Sequence, residues 1–190
     1  MERSKTATRT IRLDEDLNLA IQEKAKDANT SVNFLVNRLI RKYIEWDLPG
    51  AKFGIGPVAA SLVNILFDDL DEKTAYEMGK RVAHEFTSPF VTYLFGELTF
   101  ETAISLFRRA SDYGGRYTFD INSDKAHHVL VLRHNGGLKL SNFYSGIFQG
   151  LYSDILKIQI KIEMTEDYCV VRFPVTALPR HPGQTPTQPD

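Results

Sequence analysis

Three side chains near the start of the chain have the types and the spacing to do chemistry together. In "TRTIRLDEDL", residues 8–17, polar and apolar residues alternate from Thr8 to Leu13. A strand there places Thr8, Thr10 and Arg12 on one face and turns Ile11 and Leu13 to the other. Two hydroxyls and a guanidinium lack a base to activate a nucleophile and lack the donors of a metal site. Their chemistry is recognition, with arginine as a forked donor and threonine as donor or acceptor. Lys5 and Arg9 add positive charge beside them. Further on, Ser31, Val32 and Asn33 open a helix whose free backbone N–H groups and positive dipole end suit a phosphate.

The elements that must position these groups are a strand and two helices. After Leu13 a helix opens with Asp14 as its N-cap and Glu15 and Asp16 in its first turn, with Leu17, Ala20, Ile21 and Ala25 on one face. Asn29 sits where a left-handed residue would end it, and Ser31 is placed to cap the next helix. That second helix carries Phe34, Leu35, Leu39, Ile40, Tyr43 and Ile44 at spacings of three and four. About 40 residues are too few to bury such a stripe alone, so the unit is expected to be an obligate dimer. The strand likewise has no partner in its own domain. Two copies pairing antiparallel satisfy each other's backbone and form a ribbon of the width that the DNA major groove admits. Net charge is only −1, yet residues 1–13 hold Arg3, Lys5, Arg9 and Arg12 against Glu2, while residues 48–175 hold 15 acids against 13 bases. Positive charge is thus concentrated where a phosphate backbone would lie.

The strand "TRTIRL", the acidic opening "DEDL", the turn "ANTS" and the amphipathic "VNFLVNRLIRKYI" together resemble the ribbon-helix-helix family of DNA-binding proteins, the group of the Arc, MetJ and CopG repressors. The resemblance covers about Thr6 to Asp47. It implies double-stranded DNA as the partner and a homodimer or higher oligomer as the active form. It also implies base contacts from Thr8, Thr10 and Arg12 and phosphate contacts from Ser31, Val32 and Asn33, and the charge of the arm adds Lys5 and Arg9 to the phosphate contacts expected. Asn29 stands where family members commonly have glycine, a mild departure because asparagine tolerates the left-handed conformation. The alternatives are a strand-helix-helix piece of one continuous domain, or a dimerisation module with weak DNA binding.

The remaining residues bound the class of protein. A chain of 190 residues, 43% hydrophobic and 25% charged, suits one large or two small globular domains. No apolar run approaches the ~20 residues of a membrane helix, and no export signal opens the chain, so a cytoplasmic location and no membrane partner are expected. Cys169 is the single cysteine and has no internal disulfide partner. Three glycines and two prolines in "LPGAKFGIGP" break the helical pattern. The expected organisation is therefore residues 1–47 as the DNA-binding unit, 48–57 as a linker, 58–176 as a second unit, and a disordered, proline-rich tail over 177–190. The second unit reads as helices over 58–70, 74–87, from 90 and over 100–113. Strands "RYTFDI" and "HHVLVLRH", a helix "GGLKLSNFYSGIFQGLYSDIL" and the hairpin "KIQIKIEM"/"YCVVRFPV" follow. The fold class is α+β.

Nothing in this second unit reads as catalytic, and no cofactor or metal is expected. There is no phosphate loop, nucleophile elbow or HExxH motif. His84 and Glu85 are helix neighbours that point different ways. His127 and His128 alternate across a strand and His134 lies beyond its end, spacings that do not make a zinc site. Cys169 reads as a small core residue. Phe143, Tyr144, Phe148 and Tyr152 supply large apolar surface, while Gly146 and Gly150 leave a smooth groove for close approach. The aromatics read as core packing against the hairpin or, as a set, as the lining of a cavity for a small apolar ligand. From "HHVLVLRHNGGLKLSNFYSGIFQGLYSDIL" through "IKIEMTEDYCVVRF" the chain looks like the 4-vinyl reductase-type ligand-binding domains, relatives of the heme–nitric-oxide-binding-like and TRAPP-type folds. That likeness implies a small-molecule-sensing or dimerising domain; the cysteine-rich metal site of many members has no counterpart here. The function expected is a dimeric, sequence-specific transcriptional regulator and not an enzyme. The alternative is a nucleoid-associated or antitoxin-like interaction protein with little sequence preference.

Overall fold

Opposed charges at the two ends of the first helix favour its formation: Glu15 and Asp16 lie in the first turn of α1 (Glu15–Asp27), and Lys24 and Lys26 in the last. In the computed structural model, which describes residues 7–123 and 127–174, the chain divides into two units, Met1–Asp47 and Leu48–Asp190. In the first, Asp14 takes the N-cap position in extended conformation without a side-chain cap bond. The helix stops at Asn29, whose φ of 49° is left-handed. The amides of Asn29 and Thr30 close back on the carbonyls of Lys26 and Ala25 at 3.0 and 2.9 Å, the paired bonds of a Schellman ending. Ser31 then accepts from the Phe34 amide at 3.1 Å and starts α2 (Val32–Lys42), which runs on into a wide π-helical turn over Tyr43–Asp47.

Ahead of α1 the expected strand is not formed. Residues 7–14 carry neither helix nor strand, and Ile11 and Leu13, expected to turn toward the helices, are 55% and 42% exposed. A strand needs a neighbour for its backbone groups, and a single chain offers none here. A second expectation is corrected just past residue 47. Instead of an irregular linker, the segment 48–57 contains the helix α3 (Leu48–Lys52). Pro49 follows directly on the π-helical turn Tyr43–Asp47 without a break in the helical run, and so removes one amide bond from within it. Gly50 is buried against Ile55, Gly54 at φ 74° reverses the chain, and Phe53 lies on Phe90 and Tyr93 at 4.9 and 5.1 Å between ring centres.

The second unit is α+β. Its helical half comprises α4 (Ala60–Asp68), α5 (Glu72–Val82), α6 (Ser88–Phe95) and α7 (Phe100–Arg109). Asp71 caps α5 through the Thr74 amide at 2.8 Å, and Thr99 with Thr102 forms a reciprocal capping box on α7. The sheet is antiparallel in the order β1 (Thr118–Ser123), β2 (His127–Arg133), β4 (Tyr168–Pro174), β3 (Lys161–Met164). Between β2 and β3 runs α8 (Gly137–Phe148), prolonged by a π-helical stretch over Gln149–Ile155. β3 starts later than its alternation suggests, because Lys157 at φ 59° and the Ile158 amide bonded to the Tyr152 carbonyl finish the helix first, whereas β4 starts at Tyr168 as expected. Of the turn expected at residues 122–125 between the first two strands, Asn122 and Ser123 belong instead to β1, and the rest, like the tail over 177–190, lies outside the described residues. One sheet face, with Leu130, Leu132, Cys169, Val171 and Phe173, packs on Phe100, Ala103 and Phe107 of α7 and on Tyr144, Phe148, Leu151 and Tyr152 of the α8 rod. No described helix is long and apolar enough to cross a membrane.

Behind that core, α5 and α8 touch backbone to backbone. A Cβ placed on Gly79 would sit 2.0 Å from the Phe143 carbonyl oxygen, and one on Gly146 would sit 2.0 Å from that of Tyr76. A Cβ on Gly150 would meet Ala83 Cβ at 2.7 Å. The groove read from Gly146 and Gly150 exists, and α5 fills it.

Candidate functional site

In the N-terminal unit, Thr8, Arg9, Thr10 and Arg12 are all exposed, and Lys5 lies outside the described residues. Ser31 and Asn33 are exposed and Val32 is half-buried at the opening of α2. The Ser31 hydroxyl is engaged with the Phe34 amide, so its role at this helix end is to hold the turn. No acid stands in the first turn of α2, whereas α1 has Glu15 and Asp16 and α5 has Glu72. A positive helix end whose first turn carries no carboxylate suits a phosphate.

The other face of α2 is apolar and bare. Leu39, Ile40, Tyr43 and Ile44 are 51% to 59% exposed, while Phe34, 57% exposed, stands on the opposite side beside Asn37, Arg38 and Arg41; among the described residues of this unit the one buried hydrophobic is Ala25. Helix α2 is thus amphipathic, with its apolar stripe facing water in the single chain.

The four aromatics read as a ligand pocket stand together on the α8 rod, and each spends its surface on other side chains. Phe143 packs edge-on against Phe67 at 5.1 Å, and Tyr144 meets Tyr117 and His134, each at 5.4 Å. Phe148 and Tyr152 are fully buried and stacked at 6.1 Å, with Phe107 against the first and Phe173 against the second. Burial raises both phenols, Tyr144 to about 12 and Tyr152 further. The Tyr152 hydroxyl has no hydrogen-bond partner among the described residues. A surface depression lies elsewhere, open to solvent along α5, lined by Asp71, Lys73, Thr74, Glu77, Met78 and Arg81.

Of the titratable groups, the sequence pattern missed the most structured one. His134 is buried at the end of β2. Its Nδ1 accepts the Gly136 amide at 3.2 Å, so Nε2 carries the proton and donates to Ser141 Oγ at 2.9 Å. Ser141 donates its own proton to the Thr165 carbonyl, and the His134 amide donates to the Asp167 carbonyl at 2.9 Å. In a nucleophilic pair the base withdraws the serine proton; here the histidine gives a proton and the serine sends its own to a carbonyl. The node fastens the start of α8 to the β3–β4 turn. Burial lowers the imidazole's proton affinity, with Asp167 opposing. No local motif announces it, since His134 and Ser141 meet only once the β2–α8 turn has formed.

The other candidates are separately engaged. Arg81 grips Glu85 at 3.0 and 3.1 Å, while His84 lies 3.9 Å from Asp154, which also pairs with Lys80 at 3.1 Å. His128 Nδ1 is 2.6 Å from Ser123 Oγ. Cys169 is fully buried, which pushes its thiol up to about 12. Among the described residues no group of three or more His, Cys, Asp or Glu could hold a metal ion. No protein-family model, curated protein or solved structure matches this chain.

Proposed function

We propose that this chain is a dimeric, sequence-specific DNA-binding regulator whose N-terminal unit is completed by a second copy as a ribbon-helix-helix. The observation that carries the reading is the uncovered apolar stripe Leu39, Ile40, Tyr43 and Ile44, set beside an unpaired alternating segment that holds Ile11 and Leu13 in water. A second copy removes both costs at once. The two segments pair antiparallel, their Ile11 and Leu13 close over the joined stripes, and Thr8, Thr10 and Arg12 of both copies line the outer face of one ribbon. In the major groove Arg12 reads a guanine edge and the threonines read neighbouring edges, while the acid-free opening of α2, with Lys5 and Arg9, holds flanking phosphates. The protein in this reading is cytoplasmic and non-enzymatic. Its second unit stabilises the dimer or senses a small apolar molecule, with the outward-directed proton of Ser141 supporting a structural rather than a catalytic histidine.

Binding to genomic DNA fragments across a salt series tests this. One site should bind at least ~10³-fold above bulk DNA, with affinity falling steeply as salt rises. Uniform binding of all fragments would replace the regulator with a nucleoid-associated protein, and no binding at all, from a dimeric chain, with an antitoxin-like partner binder.

A further inference from the structure

Helix α4 has two apolar faces, and the fold uses one of them. Phe67 turns toward the body of the second unit and packs on Phe143, and Val63, one turn before it, is half-buried. About 110° around the helix, Leu62, Ile65 and Leu66 recur at three and four residues and are 47%, 60% and 60% exposed, and Val58 just ahead is 50% exposed. From Val58 to Phe67 the sequence has no charged residue. Ser61, Asn64 and Asp68 share the remaining side, so the apolar arc of α4 is wider than the one packing partner it has. The uncovered side amounts to roughly a few hundred Å², at the upper end of what a monomer leaves open.

We infer that α4 is a second self-association surface, packing antiparallel on α4 of another copy across a two-fold axis. The charge pattern selects that occupant and that direction. The N-terminus of α4 is poorly served, because Ala59 at its N-cap offers no side-chain bond and its first turn has no acid. Its C-terminus carries Asp68 and Asp69 against one cation, the Lys139 ammonium that donates to the Asp68 carbonyl, so net negative charge remains where a helix dipole disfavours it. Antiparallel pairing brings each acidic end to the partner's bare positive end over a helix only about 14 Å long. The uncharged middle leaves no like charges facing across the axis, as a self-complementary contact demands. The area decides how the contact forms. Two such patches fall short of the ~1,200 Å² that a stable free-standing complex buries. The inference therefore rests on the N-terminal dimer, which ties two copies together and makes the α4 encounter effectively intramolecular.

The test is disulfide trapping in the full chain. Cys169 is fully buried and stays silent, so Ile65→Cys places a reporter near the expected axis, and Glu77→Cys, on an exposed position of α5, serves as the control. Sedimentation of the reduced protein is read alongside. The expected result is a dimer in which Ile65→Cys cross-links at least about tenfold faster than Glu77→Cys, as an effective concentration in the millimolar range implies. Asp69→Lys added to Ile65→Cys should slow the trapping several-fold. A dimer whose Ile65→Cys cross-links no faster than the control overturns the α4 contact and leaves the N-terminal reading standing. A chain that sediments as a monomer overturns the N-terminal dimer, and the α4 contact with it.

Discussion

The second unit of this chain closes most of its apolar surface, α4 apart, whereas the first leaves its own open. In Leu48–Asp190 the aromatics meet one another: Phe148, Tyr152 and Phe173 are fully buried, and even the α5–α8 contact is closed until backbone touches backbone. In Met1–Asp47 two well-formed helices, each with proper endings, leave Phe34, Leu39, Ile40, Tyr43 and Ile44 half in water. Local signals for helix formation are therefore as strong in the first unit as in the second. The difference is in what the helices have to pack on, and it teaches that local order and burial are specified separately: caps and dipoles fix the first, and a second layer of structure supplies the other.

The most damaging way to probe this contrast is to attack the closed unit where it is tightest. Gly79→Ala and Gly146→Ala each gain up to ~1 kcal/mol of helix propensity, but each new Cβ arrives 2.0 Å from a carbonyl oxygen that no rotamer change can move. The clash wins, and a loss of roughly 3 kcal/mol or more is expected in urea unfolding followed by near-ultraviolet circular dichroism. Next in size is the open unit's stripe. Leu39→Asp with Ile40→Asp should raise the dimer dissociation constant by about 100-fold or more, read by sedimentation. The exposed setting of both positions predicts little loss of helix signal in the monomer. If the pair instead unfolded the second unit, the two units would not be separable in this way.

Arg12→Ala is expected to cost ~1–3 kcal/mol at the preferred DNA site and to flatten the preference among sites, as measured by titration of matched and mismatched duplexes. A uniform loss across sequences would move Arg12 from base to phosphate. Ser31→Ala removes the bond to the Phe34 amide and should lower the stability of the N-terminal unit by about 1 kcal/mol, visible in amide exchange of α2 but not of α8. The smallest effect concerns pH. His134 binds its proton less readily in the folded state than in the unfolded one, so folding is favoured above the ordinary imidazole value near 6.5 and loses that contribution as pH falls through it. The urea midpoint should decline between pH 7.5 and 5.5. His134→Gln should remove that slope, whereas carboxylates such as Asp71 and Glu163, held below their usual range by hydrogen bonds, act at lower pH.

Much of this architecture is legible in the residues alone, because periodic burial and end chemistry are local. The helices over α1, α2 and α5 to α8, the left-handed Asn29, the Ser31 cap and the β3–β4 hairpin all follow from spacing within a few residues. What escapes is set by distant contacts. Residues 48–52 are helical despite Pro49 and Gly50, with Gly50 buried against Ile55 and Phe53 docked on aromatics some 40 positions away. The glycines of α8 announce a groove but cannot name α5 as its occupant. Phe148 and Tyr152 have the composition of either a core or a pocket, and only the positions of Phe107 and Phe173 decide how their faces are used. The strand over Thr8–Leu13 is the reverse case: its alternation is clear, yet one chain cannot form it, since the pairing it needs is intermolecular in the proposed dimer.

A seam made of backbone has no rotamers. Where Gly79 and Gly146 face each other's carbonyls across α5 and α8, nothing can slide by a side chain's width or repack around an inserted group. Any rearrangement of the second unit has to carry the two helices together as one stiff beam, with motion left to the segments that flank it.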